Sequence, residues 1–298
     1  MKHRSTLLQA AVLACAIGSA HAASLSSAGY NQNFDAMGTG TTLPTDWSVW
    51  KVGTSHSSWT SAITANGASD SVAAMTQITS APVAAALYDT AITTATKNAS
   101  AYNIAHGTST DRVLSTSPTG VDGNALQLSL TNNTGAALGG IVLSYDIVKF
   151  YDGNKQSSID SSLPVGEELP GYQLFYSLDG SSWTNVAALN PVSTADGVHP
   201  FVSAGTVSAN GTNGPVDYGV TSISNANVSF ASAWAAGSTL LLRWVDDNAV
   251  NISPDQIIGL NNVSVAAVPE PETFAMLLAG LGLMGWVARR RSPTLATS

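Results

Sequence analysis

The sequence predicts a mainly β protein, an antiparallel β-sandwich flanked by an N-terminal signal helix and a short C-terminal transmembrane helix. Three observations carry that expectation. Runs in which apolar and polar residues alternate, such as Ala125-Leu-Gln-Leu-Ser-Leu130, have the two-residue period of a strand with one buried face. The composition is rich in Ser, Thr, Asn, Gly and Ala and poor in Lys and Glu, which disfavours helix and suits strands joined by turns. Uncharged apolar stretches with basic flanks stand at the two ends of the chain.

Residues 1–22 have the make-up of a secretory signal peptide. Lys2 and Arg4 form the positive start, residues 7–17 are apolar, and Ala20-His21-Ala22 is an A-x-A cleavage site with Ala20 and Ala22 at its key positions. Export through the Sec translocon follows. The one cysteine, Cys15, lies in the apolar stretch and leaves with it. The exported domain, residues 23–267, has no disulfide and is held by its core or by bound ions.

Residues 30–50 combine a short strand ending at Phe34-Asp35, a Gly-rich loop, and a second strand led in by Leu43-Pro44, with Phe34 and Trp47 as core plugs. Residues 54–107 show neither strand nor helix period and read as an irregular or inserted segment. Short helices fit 72–75 and 81–96, with Pro82 at a helix start. Asp111-Arg112-Val113-Leu114 opens the next strand, with Arg112 as an ion-pair partner inside or at the rim.

From residue 125 the strand signal strengthens. Residues 125–130 and 140–150 flank the turn Thr131-Asn-Asn-Thr-Gly135, and residues 171–177 and 183–187 flank Asp179-Gly180, a hairpin signal that leaves Trp183 on the sheet. Residues 237–245 form a strand, Asp246-Asp247-Asn248 a polar break, and residues 257–265 the closing strand. The Phe34-Asp35 and Leu43-Pro44 opening and the Leu240-Leu-Leu-Arg-Trp244 and Ile258-Gly-Leu-Asn-Asn-Val263 ending resemble exported bacterial jelly-roll modules. Asn261 stands where those modules often carry Asp. The resemblance implies two antiparallel sheets packed face to face.

The tail reads Val268-Pro269-Glu270-Pro271, then an uncharged apolar helix over 274–288, then Arg289, Arg290 and Arg291. That helix is about 22 Å long, short of a hydrocarbon core of roughly 30 Å. The arginines stop it and remain cytoplasmic, with residues 292–298 as a cytoplasmic tail and the domain on the far side of the membrane. Residues 268–291 resemble the PEP-CTERM sorting signal of Gram-negative, exopolysaccharide-producing bacteria. The resemblance implies that exosortase, a membrane-embedded cysteine protease, recognises Pro269, Glu270 and Pro271 and releases or transfers the domain. It also implies transient membrane anchoring, then the cell surface or the medium. A plain single-pass anchor is the other reading. The two prolines favour cleavage, because they keep the peptide extended.

Charge and chemistry narrow the function. The chain has net charge −8, and of its eleven basic residues Lys2, Arg4, Arg289, Arg290 and Arg291 lie in the terminal signals. The exported body is therefore acidic, which argues against nucleic acid as a partner. Glu167 and Glu168 are adjacent, whereas glycoside hydrolysis needs carboxylates about 5 to 10 Å apart on one face. His56, His106 and His199 lack zinc-ligand spacing, and no Gly-x-Ser-x-Gly or phosphate loop is present. Asp246, Asp247 and Asp255, with Asn248, are oxygen donors of the kind Ca²⁺ takes without EF-hand spacing, so a structural Ca²⁺ and a solvated turn both fit; no other cofactor is implied. Trp59 and Tyr151, in loop-like contexts, are the aromatic candidates for contact with sugar rings. These features point to a non-enzymatic cell-envelope or exopolysaccharide-matrix protein with a structural, adhesive or carbohydrate-binding role and extracellular polysaccharide as partner. The alternative is a secreted hydrolase of matrix glycans, with its active site around 54–107.

Overall fold

A computed structural model describes residues 22–52, 72–85, 100–106, 108–118, 121, 123–151, 171–190, 192–194, 197–199, 219–247, 257–269 and 281–284. The strands in chain order are β1 (Ala23–Leu25), β2 (Tyr30–Gln32), β3 (Trp47–Val52), β4 (Thr76–Ile78), β5 (Val83–Ala85), β6 (Ser100–Ala105), β7 (Arg112–Ser117) and β8 (Gly123–Asn132). They continue with β9 (Leu138–Tyr151), β10 (Gln173–Ser177), β11 (Thr184–Asn185), β12 (Val192–Thr194), β13 (Gly197–His199), β14 (Gly219–Trp234), β15 (Thr239–Asp247) and β16 (Ile257–Pro269). A helical turn at 281–284 lies in the tail, and the predicted signal helix falls outside the described residues.

Two seven-stranded sheets form the sandwich. The first runs β11-β10-β15-β8-β3-β4, and the second β14-β9-β16-β7-β6-β5. The N-terminal residues give one short strand to each: β1 lies parallel to β8 beyond the end of β3, and β2 pairs with β16 beyond the end of β7. Apart from the β1–β8 and β5–β6 pairs, neighbours in these sheets are antiparallel. β12 and β13 form a separate hairpin.

Alternation decides which residues meet between the sheets. Leu126, Leu128 and Leu130 of β8 and Leu240, Leu242 and Trp244 of β15 pack against Ile141, Leu143, Tyr145 and Ile147 of β9 and Ile258 and Leu260 of β16. Each of these side chains is buried, and full burial of an aliphatic side chain stabilises by about 1.5 to 3 kcal/mol. Phe34 and Trp47 are core plugs, their rings meeting edge-on at 4.9 Å, and Trp47 stacks on Trp244 at 5.6 Å. Buried polar groups also bridge the sheets. Tyr172 Oη donates to the Ile258 carbonyl at 2.9 Å, and Thr116 Oγ1 donates to Asp246 Oδ2 at 2.6 Å. Burial and the nearby Asp246 raise the Tyr172 pKa well above the ordinary phenol value, so it remains a neutral donor.

The outer faces are partly covered as well. Tyr102, Ile104, Val113, Val148, Phe150 and Ile257 cluster outside the second sheet, and Val72, Met75, Phe175 and Trp183 outside the first. On that first face the Arg243 guanidinium lies between the rings of Trp50 and Trp183, 4.0 and 4.1 Å from their centres. It donates from Nε to Gln127 Oε1 and from Nη1 to the Val72 carbonyl, both at 2.6 Å.

Several expectations change. The segment 54–107 supplies β4 to the first sheet and β5 and β6 to the second, and β5 stands where a helix after Pro82 was expected. Val83–Ala85 pairs with Tyr102, Asn103 and Ile104, so tertiary pairing overrides the helical preference of an Ala-rich run. Arg112 takes the inner of its two expected places: it is fully buried, with Nε donating to Asn103 Oδ1 and Nη2 to the Asn103 carbonyl at 2.8 and 2.7 Å. Asp246 and Asp247 are not a polar break: they extend β15 and pair with Asn124 and Gly123. β14, the long strand beside β9, was not anticipated at all.

Candidate functional site

Two regions carry functional geometry, and the first is the junction with the tail. β16 continues past residue 265 through Val268, paired with Gly140, to Pro269, paired with Leu138. The first proline of the Pro-Glu-Pro element is thus the last residue of a strand at the middle of the second sheet, a position that tolerates the missing N–H because the ladder stops there. Glu270 and Pro271 follow directly in the chain. They lie outside the described residues, as do Arg289, Arg290 and Arg291. Within the tail, Leu281, Leu283 and Met284 are 52, 63 and 64% exposed, the apolar surface a lipid environment would cover. Among the described residues no helix is long and apolar enough to cross a membrane.

At the N-terminal boundary of the domain, Ala20 is outside the described residues and Ala22 immediately precedes β1. Cleavage after Ala22 would leave Ala23, the first residue of a paired strand, as the new N-terminus. The folded unit therefore fills the interval between the two predicted processing points with almost no slack.

The second region is an open groove of about 370 Å³ lined by Asn31, Gln32, Asn33, Asn262 and Val263. Asn31 and Gln32 of β2, with Asn33 directly after it, lie beside a bulge in β16, where the register slips between Asn261 and Ser264. Asn262 sits in that bulge at φ 50°, a left-handed conformation that asparagine adopts more readily than most residues. Its backbone N–H donates to Asn261 Oδ1 at 2.8 Å and its Nδ2 to Asp146 Oδ2 at 2.7 Å. Ser222 Oγ donates to the other oxygen of Asp146 at 2.5 Å, so that carboxylate is held from both sides. Gln32 Oε1 accepts from the N–H of Phe34, and Asn33 Nδ2 donates to Asp35, both at 2.7 Å. Below them Tyr30 Oη donates to Asp46 and accepts from Trp47 Nε1; burial, then Asp46, push its pKa up, so it stays a phenol. The result is a fixed array of amides, each with a donor and an acceptor end, and no cation among the lining residues.

The sequence-derived candidates are distributed differently. Trp59 lies outside the described residues, and Tyr151 ends β9 with only its backbone described. Asp246 is buried between the sheets on Thr116, Asp247 follows it on β15, and Asp255 is outside the described residues. Among the described residues no group of three His, Cys, Asp or Glu is placed to hold a metal ion. The groove amides were missed because residues 30–34 read as a strand and Asn261-Asn262 as part of the closing one. The available signal was the recurrence of amides in two segments far apart in the chain.

Residues 267–291 match the family model for the PEP-CTERM protein-sorting motif. No curated protein matches the chain. The match includes Pro269, Glu270, Pro271 and the three arginines, and it marks an exported, membrane-anchored exosortase substrate of a Gram-negative bacterium.

Proposed function

We propose that this exosortase substrate is a non-enzymatic envelope or matrix protein that holds neutral extracellular polysaccharide in the amide-lined groove once its tail has been removed. The observation that carries the reading is the groove. Asn31, Gln32, Asn33 and Asn262 line a preformed concavity with side chains that both donate and accept, the pairing that vicinal hydroxyls require. The acidic chain disfavours a polyanionic ligand, and the groove lining offers no cation to reverse that preference.

Affinity electrophoresis of the tail-less product through gels containing neutral polysaccharides tests the proposal. Wild-type protein is expected to be retarded by at least one of them. Asn31→Ala and Asn262→Ala are each expected to weaken that retardation about tenfold, the effect of losing roughly one hydrogen bond. A parallel assay of released reducing ends is expected to show no turnover. Unchanged retardation of both variants, or hydrolysis of any retarding glycan, would refute the reading.

A further inference from the structure

The strand pairing places the junction with the tail at one end of the sandwich. Pro269 pairs with Leu138, which also pairs with Trp234, so the ends of β16 and β14 and the start of β9 coincide. The turn from β8 to β9 (residues 133–137), the turn from β14 to β15 (235–238) and the turn from β1 to β2 (26–29) gather there. Ala23 pairs with Leu130, two residues short of the same end, or about 7 Å along the strand. Both export signals therefore attach at or near one face of the molecule.

That face is unlike the rest of an acidic chain. Its three turns read Ser-Ser-Ala-Gly, Asn-Thr-Gly-Ala-Ala and Ala-Ala-Gly-Ser, without a charge or a large side chain. They are also tied to one another. Buried Asn132 donates from Nδ2 to the carbonyls of Ala136 and Trp234 at 2.8 and 3.0 Å, and its Oδ1 accepts from the Thr134 N–H. The Asn133 N–H bonds the Leu25 carbonyl, and the Gly237 N–H the Asn132 carbonyl. The three turns thus make an uncharged plate with many of its backbone polar groups already bonded, suited to close approach by another protein surface. The neighbouring hairpin keeps one carboxylate beside the plate, Asp179, whose Oδ1 accepts from the N–H groups of Ser181 and Ser182.

Pro269 is still in the sheet, and Glu270 and Pro271 come next, so an enzyme gripping the Pro-Glu-Pro element is brought against this plate. We propose that the plate formed by residues 26–29, 133–137 and 235–238 is the docking face for the processing protease, exosortase. It goes beyond the sorting motif by assigning part of the recognition surface to the folded domain. It is independent of any glycan binding.

Full-length protein in its exporting host, followed by pulse-chase and intact mass, tests this. Ser27→Glu and Ala236→Glu add a charge at exposed positions on the plate, and Thr76→Glu adds one on exposed edge strand β4 as a control. The plate variants are expected to lose the tail roughly tenfold more slowly and the control at the wild-type rate, with melting temperatures unchanged. A four-residue Gly-Ser spacer after Val268 of the wild-type chain carries the Pro-Glu-Pro element away from the plate and is expected to slow processing to the rate of the plate variants, with Ala236→Glu adding no further slowing to the spacer chain. Processing of the plate variants or of the spacer chain at the wild-type rate overturns the proposal. Sedimentation of the tail-less product with phosphatidylethanolamine–phosphatidylglycerol vesicles would assign the plate to the bilayer and equally overturn it; none is expected.

Discussion

Arg243 shows how one residue can hold an outer sheet face together. Burial pushes its guanidinium pKa down to about 9, which still leaves it charged at neutral pH. Its cationic plane lies between the electron-rich faces of Trp50 and Trp183, while Gln127 and the Val72 carbonyl accept its protons. Each desolvated cation–π contact stabilises by about 1 to 2 kcal/mol. Arg243→Ala removes both contacts, opens a gap between the rings and strands two acceptors, so a loss of about 3 to 4 kcal/mol is expected in urea unfolding. Arg243→Met keeps most of the volume between the indoles without the charge and is expected to lose only about 1 to 2 kcal/mol. Equal losses would show that the charge, and not the filling of the gap, holds the face. The hydrogen bond to Val72 also explains why residues 72–75 cover this face despite their distance in sequence from β15.

At the scale of elements, β16 shows what the sequence reveals and what it conceals. β8 and β15 were legible because each has one face in the common core, and the period-two alternation of Leu126, Leu128 and Leu130 records it directly. β14 was not, because it is an edge strand in which Val228 and Trp234 are the buried residues among Ser, Thr, Asn and Ala, so no apolar period survives. β5 and β6 were hidden for a related reason: their pairing depends on partners that local composition does not name. The tail was legible because composition and charge act on a membrane without any fold, whereas the groove joins residues 31–33 to 262 and exists only after folding. Gly259 was read only as part of a motif, yet its reason is steric. A Cβ there would lie 2.3 Å from Ser115 Oγ, 2.4 Å from Val113 Cγ1 and 3.0 Å from the Leu114 carbonyl, so β7 and β16 approach too closely for any side chain. Gly259→Ala is expected to destabilise by about 2 to 3 kcal/mol. Adding Ser115→Ala should recover part of this, since it removes the nearest obstacle and a buried hydroxyl without a hydrogen-bond partner. Thermal melts of the single and double variants check both statements; no recovery would place the strain in the backbone.

For the whole molecule, the position of β16 makes export, folding and processing interdependent. This strand is the last part of the domain to cross the membrane, yet it lies between β9 on one side and β7 and β2 on the other. Before it arrives, the second sheet is split and both β9 and β7 present unpaired edges, the state in which strands associate wrongly. The sheet closes only when residues 257–269 have emerged, when the apolar tail is at the membrane. Closure thus occurs where the protease acts, and the processing site follows the last ladder pair. A chain ending at Pro269 retains every pairing of β16 and is expected to melt within about 2 °C of the full-length protein in detergent, because both sheets and the core side chains between them are kept whole. A chain ending at Gln256 lacks the strand that joins the halves of the second sheet, along with the core side chains Ile258, Leu260, Val263 and Val265, and is expected to show no cooperative melt and to aggregate. Circular dichroism melts and size-exclusion chromatography of the two truncations decide the matter. A cooperative transition in the shorter chain would mean that the sandwich is complete without its closing strand, and folding would no longer be tied to the arrival of the tail.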